Sequence, residues 1–228
     1  LFEGYDINKT YTWPGPSFYK NTTNGLIKDF VSLDNTKLFA GKELVGDFNN
    51  DGFVDAFLLT GMDPAGCSNC KDPVFSLYTM KNVSGYNFKV DSVNYKGVWR
   101  TGTSADIDND GDLDIFVLGR LDAYFLINDG KGNFTYSLTQ IDKSTLTEQY
   151  QCELVDIDKD GFLDLFVPNG SGNKNSLFHN DGNGTFSKSN IIINQEGGKS
   201  VGSCWGDVDN DGDLDLFVTN SNSTTNFF

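Results

Sequence analysis

Short apolar runs alternate with polar turns along the whole chain. No stretch of ten or more residues carries a 3.6-residue period, so no helix is predicted. The longest apolar runs are Phe57–Leu59, Ile115–Leu118 and Ile191–Ile193, which suit strands and are too short to span a membrane. Four of the polar segments are near copies. They read Asp47-Phe-Asn-Asn-Asp-Gly-Phe-Val-Asp55, Asp106-Ile-Asp-Asn-Asp-Gly-Asp-Leu-Asp114, Asp156-Ile-Asp-Lys-Asp-Gly-Phe-Leu-Asp164 and Asp207-Val-Asp-Asn-Asp-Gly-Asp-Leu-Asp215. Their starts lie 59, 50 and 51 residues apart, and each runs into an apolar stretch.

A weaker element lies between the copies: an aromatic, then Asn, then a Gly turn, then often Phe. It spans Tyr19 to Leu26, Tyr78 to Phe88, Phe125 to Phe134 and Phe178 to Phe186. Asn128-Asp-Gly-Lys-Gly and Asn180-Asp-Gly-Asn-Gly within it are hairpin turn signals. Each repeat of about 50 residues thus predicts four short strands, here called A to D, with the Asp loop between A and B. That is the arithmetic of a β-propeller blade, and the expected class is all-β. A β-sandwich would not need four matched Asp loops at near-constant spacing. As a single propeller region over 1–228, the chain divides into the end of a blade (1–33), blades at 34–91, 92–140 and 141–191, and the start of another (192–228). Four to five blades are visible.

The Asp loops carry the chemistry. Oxygen side chains at loop positions 1, 3, 5 and 9, with Gly at 6, converge on one point and suit a hard cation such as calcium. The Gly makes the turn that lets position 7 offer its carbonyl. The candidate ligands are Asp47, Asn49, Asp51, Phe53 and Asp55; Asp106, Asp108, Asp110, Asp112 and Asp114; Asp156, Asp158, Asp160, Phe162 and Asp164; and Asp207, Asp209, Asp211, Asp213 and Asp215. An EF-hand would need Glu at position 12, but Leu58, Val117, Val167 and Val218 stand there. About four Ca²⁺ ions are expected, with loop 1 the weakest because of Asn49. Asp-Gly pairs also make ordinary turns; four copies matched at five positions argue for the cation.

These segments resemble the FG-GAP/VCBS repeats of integrin-α-like β-propellers, most closely over Ser203 to Val218 and Asn175 to Phe186. The resemblance implies Ca²⁺ at each loop and, most often, seven blades. The chain is shorter than seven blades need, so it is expected to be part of a larger ring. A four-bladed ring with paired terminal halves, and head-to-tail pairing between molecules through those halves, stay open. The resemblance leaves function open among adhesion modules, lectins, polysaccharide lyases and matrix proteins. It places ligands opposite the calcium loops, on B–C loops 60–73, 119–123, 168–176 and 219–226 and D–A loops 31–42, 89–98, 137–150 and 187–200.

Acidic residues outnumber basic ones 32 to 17, for a net charge of −15, and the Asp loops hold 17 of those acids. The acidity is therefore largely a cation requirement. A nucleic-acid binder, which needs a basic face, is excluded, and no membrane insertion is expected. The chain opens on Leu1, consistent with a removed leader or a fragment. Seven Asn-x-Ser/Thr sequons (Asn8, Asn21, Asn82, Asn133, Asn169, Asn183 and Asn222) exceed the roughly three to four that chance gives and favour a secreted glycoprotein. Asn21, Asn82, Asn133 and Asn183 are placed in C–D turns, and Asn169 and Asn222 in B–C turns. Cys67 and Cys70 suit a local disulfide, with half a metal site or a redox motif as alternatives. Cys152 and Cys204, on neighbouring A strands, should face opposite sides. The single histidine, His179, is expected at the surface, and Trp13, Trp99 and Trp205 between blades. No Ser-His-Asp set or phosphate-cradling loop is present, and no residue is assigned as catalytic. The expectation is an extracellular or cell-surface, calcium-stabilised module for a protein or glycan partner. A lectin, another carbohydrate-active enzyme or a filament subunit are the alternatives.

Overall fold

The computed structural model describes residues 18–29, 40–60, 77–84, 87–93, 99–119, 123–138, 141, 151–170, 174–182, 185–189 and 199–221. Every regular element among them is a strand. Strands β1 (Phe18–Thr22) and β2 (Gly25–Asp29) form a hairpin. Three four-stranded antiparallel sheets follow in simple up-and-down order. The first holds β3 (Ala40–Gly46), β4 (Asp55–Thr60), β5 (Leu77–Ser84) and β6 (Asn87–Val93). The second holds β7 (Trp99–Ala105), β8 (Asp114–Gly119), β9 (Ala123–Asn128) and β10 (Phe134–Leu138). The third holds β11 (Glu153–Val155), β12 (Asp164–Val167), β13 (Ser176–Asn180) and β14 (Phe186–Lys188). Strands β15 (Lys199–Gly206) and β16 (Asp215–Ser221) pair as the first half of a further unit.

The sheets stack face to face, and the B strands show why. In β8 every residue is buried. Alternate side chains of a strand point to opposite faces, so Ile115 and Val117 join Leu44, Phe57, Leu59 and Trp99 between the first and second sheets. Phe116 and Leu118 join Leu165, Val167 and Phe178 between the second and third. On β12, Phe166 faces the other way, against Val218 and Trp205. A strand with apolar neighbours on both faces needs the unbroken apolar run seen in the sequence.

The A strands β3, β7, β11 and β15 follow one another side by side, so consecutive sheets fan around a common edge. Their registers shift between Ala40 and Lys42, Trp99 and Thr101, and Ser200 and Gly202, which is one bulge repeated in three A strands. This is blade-like packing; no closed ring is seen among the described residues. Trp99 and Trp205 sit between sheets, each edge-on to an aromatic ring (Tyr124 and Phe166) with centroids 5.5 Å apart. Trp13 lies outside the described residues.

Truncating Phe116, which is fully buried, should destabilise the chain by about 3–5 kcal/mol as Phe116→Ala. The half-exposed Val83 should lose no more than about 0.5 kcal/mol as Val83→Ala. Urea melts of the two variants check the contrast.

Candidate metal centres and the seam between sheets

Each Asp loop folds its side chains back onto its own backbone. The position-5 amide donates to the position-1 carboxylate at 3.1 Å in the first three loops, from Asp51 to Asp47, Asp110 to Asp106 and Asp160 to Asp156. The amides of Gly52, Gly111, Gly161 and Gly212 donate to the other oxygen of that carboxylate. The position-7 amide donates to the position-5 carboxylate in all four, at 2.8–2.9 Å. These bonds require φ near +90° at the glycine, where a side chain would be strained.

The position-9 aspartate is the anchor. Asp55, Asp114 and Asp164 are buried. Asp114 accepts the Ile107 amide at one oxygen and the Asn128 amide at the other, at 2.9 and 2.8 Å. Asp164 does the same with Ile157 and Asn180. One carboxylate thus ties the start of the loop to the end of strand C. Asp55 accepts from Asn82 at 2.7 Å, while its second oxygen is buried without a hydrogen-bond partner. Asp215, in the half unit, accepts from Val208 and is exposed. Burial pushes the carboxyls of Asp55 and Asp164 above the usual range and that of Asp114 up to about 6, with nearby loop aspartates adding to the rise.

Carboxylate oxygens of Asp106, Asp108 and Asp114, and of Asp207, Asp209 and Asp215, converge to within 4.8 Å of one another. In loop 1, Asn49 instead donates its amide to Asp51 at 3.0 Å. Burial first, and then repulsion from Asp110, raises the Asp108 carboxyl. The donor sets of loops 2 and 4 are all-oxygen. Such groups fit a hard divalent cation.

Loop 3 differs. Asp158 and Asp160 converge with His179. His179, expected at the surface, is one-third exposed, and β12–β13 pairing brings its ring against the loop, a contact the sequence did not reveal. Burial alone would lower its pKa, but Asp164, Asp158 and Asp160 together hold it above the ordinary value.

Position 7 has a role in packing. Phe162 lies so close beneath Gly182 that a Cβ there would overlap its ring, and Asp112 lies against Gly130 in the same way. Phe53 is exposed. Two further sets of residues, unnoticed in the sequence, hold neighbouring sheets together. Position 4 has positive φ in every loop, at Asn50, Asn109, Lys159 and Asn210, and its side chain reaches forward. Asn50 donates to Asp112 and to the Gly130 carbonyl, Asn109 to the Gly161 carbonyl, and Lys159 pairs with Asp213 at 2.6 Å. The Asn that ends strand C reaches back. Asn128 donates to Phe48 and Leu113 carbonyls, and Asn180 to those of Ile107 and Leu163. The recurring Asn at both places was the available signal.

Asn82 is the first-sheet member of this second set. Its placement in a turn is corrected: it lies within β5, buried, donating to the Val54 carbonyl. Asn169 is also buried, donating to the Lys174 carbonyl. Neither presents its amide to a glycosyltransferase in this fold. Asn21 and Asn133 are exposed, Asn21 within β1 and Asn133 in the β9–β10 turn. Asn8, Asn183, Asn222, Cys67 and Cys70 lie outside the described residues. Cys152 and Cys204 are free thiols, one buried and one exposed. Most of the B–C and D–A loops expected to meet ligand also lie outside the described residues.

Residues 106–167 and 156–218 match the FG-GAP-like repeat family, in two overlapping units. The chain belongs to the FG-GAP-like repeat proteins, whose repeats often bind calcium. A solved structure described as showing specific recognition of non-reducing terminal N-acetylglucosamine by an Agrocybe aegerita lectin is similar in fold. It is 19% identical with a TM-score of 0.52, and the match covers 79% of this chain and 48% of that one. The V. cholerae biofilm matrix protein Bap1 matches at 18% identity and a TM-score of 0.41, over 79% of this chain and 28% of its own. The chain spans about half the length of the first and about a quarter of the second. No curated protein matches the sequence.

Asn128→Ala should destabilise by about 2–3 kcal/mol, because it strands two buried carbonyls at once. Asn50→Ala, at an exposed seam contact, should lose under about 1 kcal/mol. Denaturant midpoints separate the two. In chelator-treated protein the raised Asp114 carboxyl sets a pH slope. The folded state holds that proton up to about pH 6 and the unfolded chain only to about 4, so this contribution is present below about pH 4. It is lost as pH rises through 6. Melting temperature across pH 4 to 7 checks it, and Asp114→Asn should flatten the slope.

Proposed function

We propose that this chain is a calcium-stabilised, propeller-type binding module that works outside the cell, in recognition or adhesion. The observation that carries the reading is the row of Asp loops along one edge of the fanned sheets. In the first three loops a buried position-9 carboxylate stands beside further carboxylates, as electrostatics tolerates when a cation sits among them. Asp47, Asp51 and Asp55 with Asn49, Asp106 to Asp114, Asp156 to Asp164 and Asp207 to Asp215 would hold the ions, about four in all. The ions would fix the loop edge, leaving the opposite edge free to meet a partner. Among the described residues no helix is long and apolar enough to cross a membrane.

A glycan is the first partner class to test, because a lectin shares the fold; the likeness reaches the fold alone. Among the described residues, Asn21 and Asn133 are the sequons whose exposure suits N-glycosylation. A protein partner, a lyase activity and pairing of the terminal half units remain separate readings without an observation that favours them.

Thermal melts with calcium and with EDTA test the cation role. A rise of about 10 °C or more with calcium is expected, given that saturating ligand at 100 times Kd contributes about 2.7 kcal/mol. An unchanged melting temperature, together with no bound metal in purified protein, sinks it. A glycan array read in calcium and again in EDTA tests partner class: calcium-dependent signal supports glycan recognition, and a blank array transfers the search to protein partners.

A further inference from the structure

We infer that loop 3, one of the four cation loops, takes a borderline transition cation of the Zn²⁺ type in place of calcium through a mixed nitrogen–oxygen donor set, unlike its oxygen-only neighbours. The inference rests on reading the Asp loops as cation sites. The register of the sheets gives the comparison. The residue before the strand-C Asn is Lys81 in the first sheet, Ile127 in the second and His179 in the third. Only the third offers a metal-ligating side chain.

His179 Nδ1 lies 3.1 Å from Asp164 Oδ1 and 3.3 Å from Asp158 Oδ2, and its Nε2 lies 3.9 Å from Asp160. Nδ1 carries at most one proton, which hydrogen-bonds only one of the two carboxylate oxygens beside it; the Asp164 oxygen also accepts the Asn180 amide, and the Asp158 oxygen is the one left over. One cation answers both oxygens and the nitrogen lone pair together. Ligand atoms about 2.0–2.2 Å from a shared Zn²⁺ at tetrahedral to right-angle spacing stand roughly 3–3.5 Å apart, as Nδ1 does from Asp158 and Asp164, whereas Nε2 and Asp160 are farther apart. Imidazole selects zinc-like cations over calcium, whose ligands are oxygens. The group borders a cleft of about 290 Å³ lined by Asp158, Asp164, Leu177, His179, Ser187 and Lys188, so water can complete the coordination shell from outside.

The competing account is that the imidazolium serves as a built-in counter-ion and loop 3 binds no transition metal. Titration of the full chain with Co²⁺, in a background of excess Ca²⁺, decides between them. Co²⁺ reports ligand type by its visible absorption. About one equivalent should bind, with absorption that Zn²⁺ abolishes. His179→Ile, which copies the side chain of the second sheet, should weaken Co²⁺ binding about 10–100-fold while the calcium-dependent rise in melting temperature persists. Stoichiometric Co²⁺ binding that is the same in His179→Ile, or no such binding in the native chain, overturns the inference. Calcium melts of both proteins keep the two readings apart. Loss of the calcium effect with His179-dependent Co²⁺ binding intact would overturn the calcium reading and leave this one standing.

Discussion

The fold depends on a carboxylate, in the second and third sheets, that is buried at the entry of strand B and clasped between two backbone amides. Asp114 joins Ile107 to Asn128, and Asp164 joins Ile157 to Asn180. The clasp works beside the Asn128–Leu113 and Asn180–Leu163 bonds, which tie the same loop to the same strand end. Removing a carboxylate from water is unfavourable unless its oxygens are satisfied, and two amides meet part of that need. The surrounding aspartates work against the clasp, since they raise the free energy of the buried charge. The same crowding that opposes folding makes the loop edge receptive to cations, so stability and metal affinity have one electrostatic origin.

Much of the architecture could be read from the chain. The apolar runs of the B strands marked strands, and the Asp-loop spacing marked four-stranded units, because both signals are local and repeat. Asp114 and Asp164 were legible as loop members, though their burial was not: it comes from strand C closing over them. The contact of His179 with loop 3 was hidden for a related reason. The residue before the strand-C Asn is Lys, Ile or His in turn, so repetition gave no hint. Only the pairing of β12 with β13 brings it to loop 3, across 15 residues of chain. Asn82 was misplaced because its sequon resembles an exposed turn. Its true counterparts, Asn128 and Asn180, are recognised by what they bond, not by the residues that follow them.

Adjacent sheets are joined in two ways that share no atoms. Apolar layers such as Phe116 with Leu165 and Val167 exclude water along the sheet faces. At the loop edge, Asn50, Asn109 and Lys159 reach one neighbour while Asn128 and Asn180 reach the other. Among the described residues these contacts join neighbouring repeats, the condition under which repeat arrays tolerate change in one unit without loss of the rest. Position 4 illustrates the tolerance. Asn and Lys both serve there in the left-handed conformation, one by hydrogen bond and one by charge.

The two kinds of Asn arm also set a schedule for the growing polypeptide. Asn50 finds Gly130, and Phe48 receives Asn128, only after 80 further residues exist. A loop therefore leaves the ribosome with its outer contacts unmet and is completed by the repeat made after it. Synthesis from the N-terminus then supplies each loop's outer contacts 52 to 80 residues after the loop itself, from the repeat that follows.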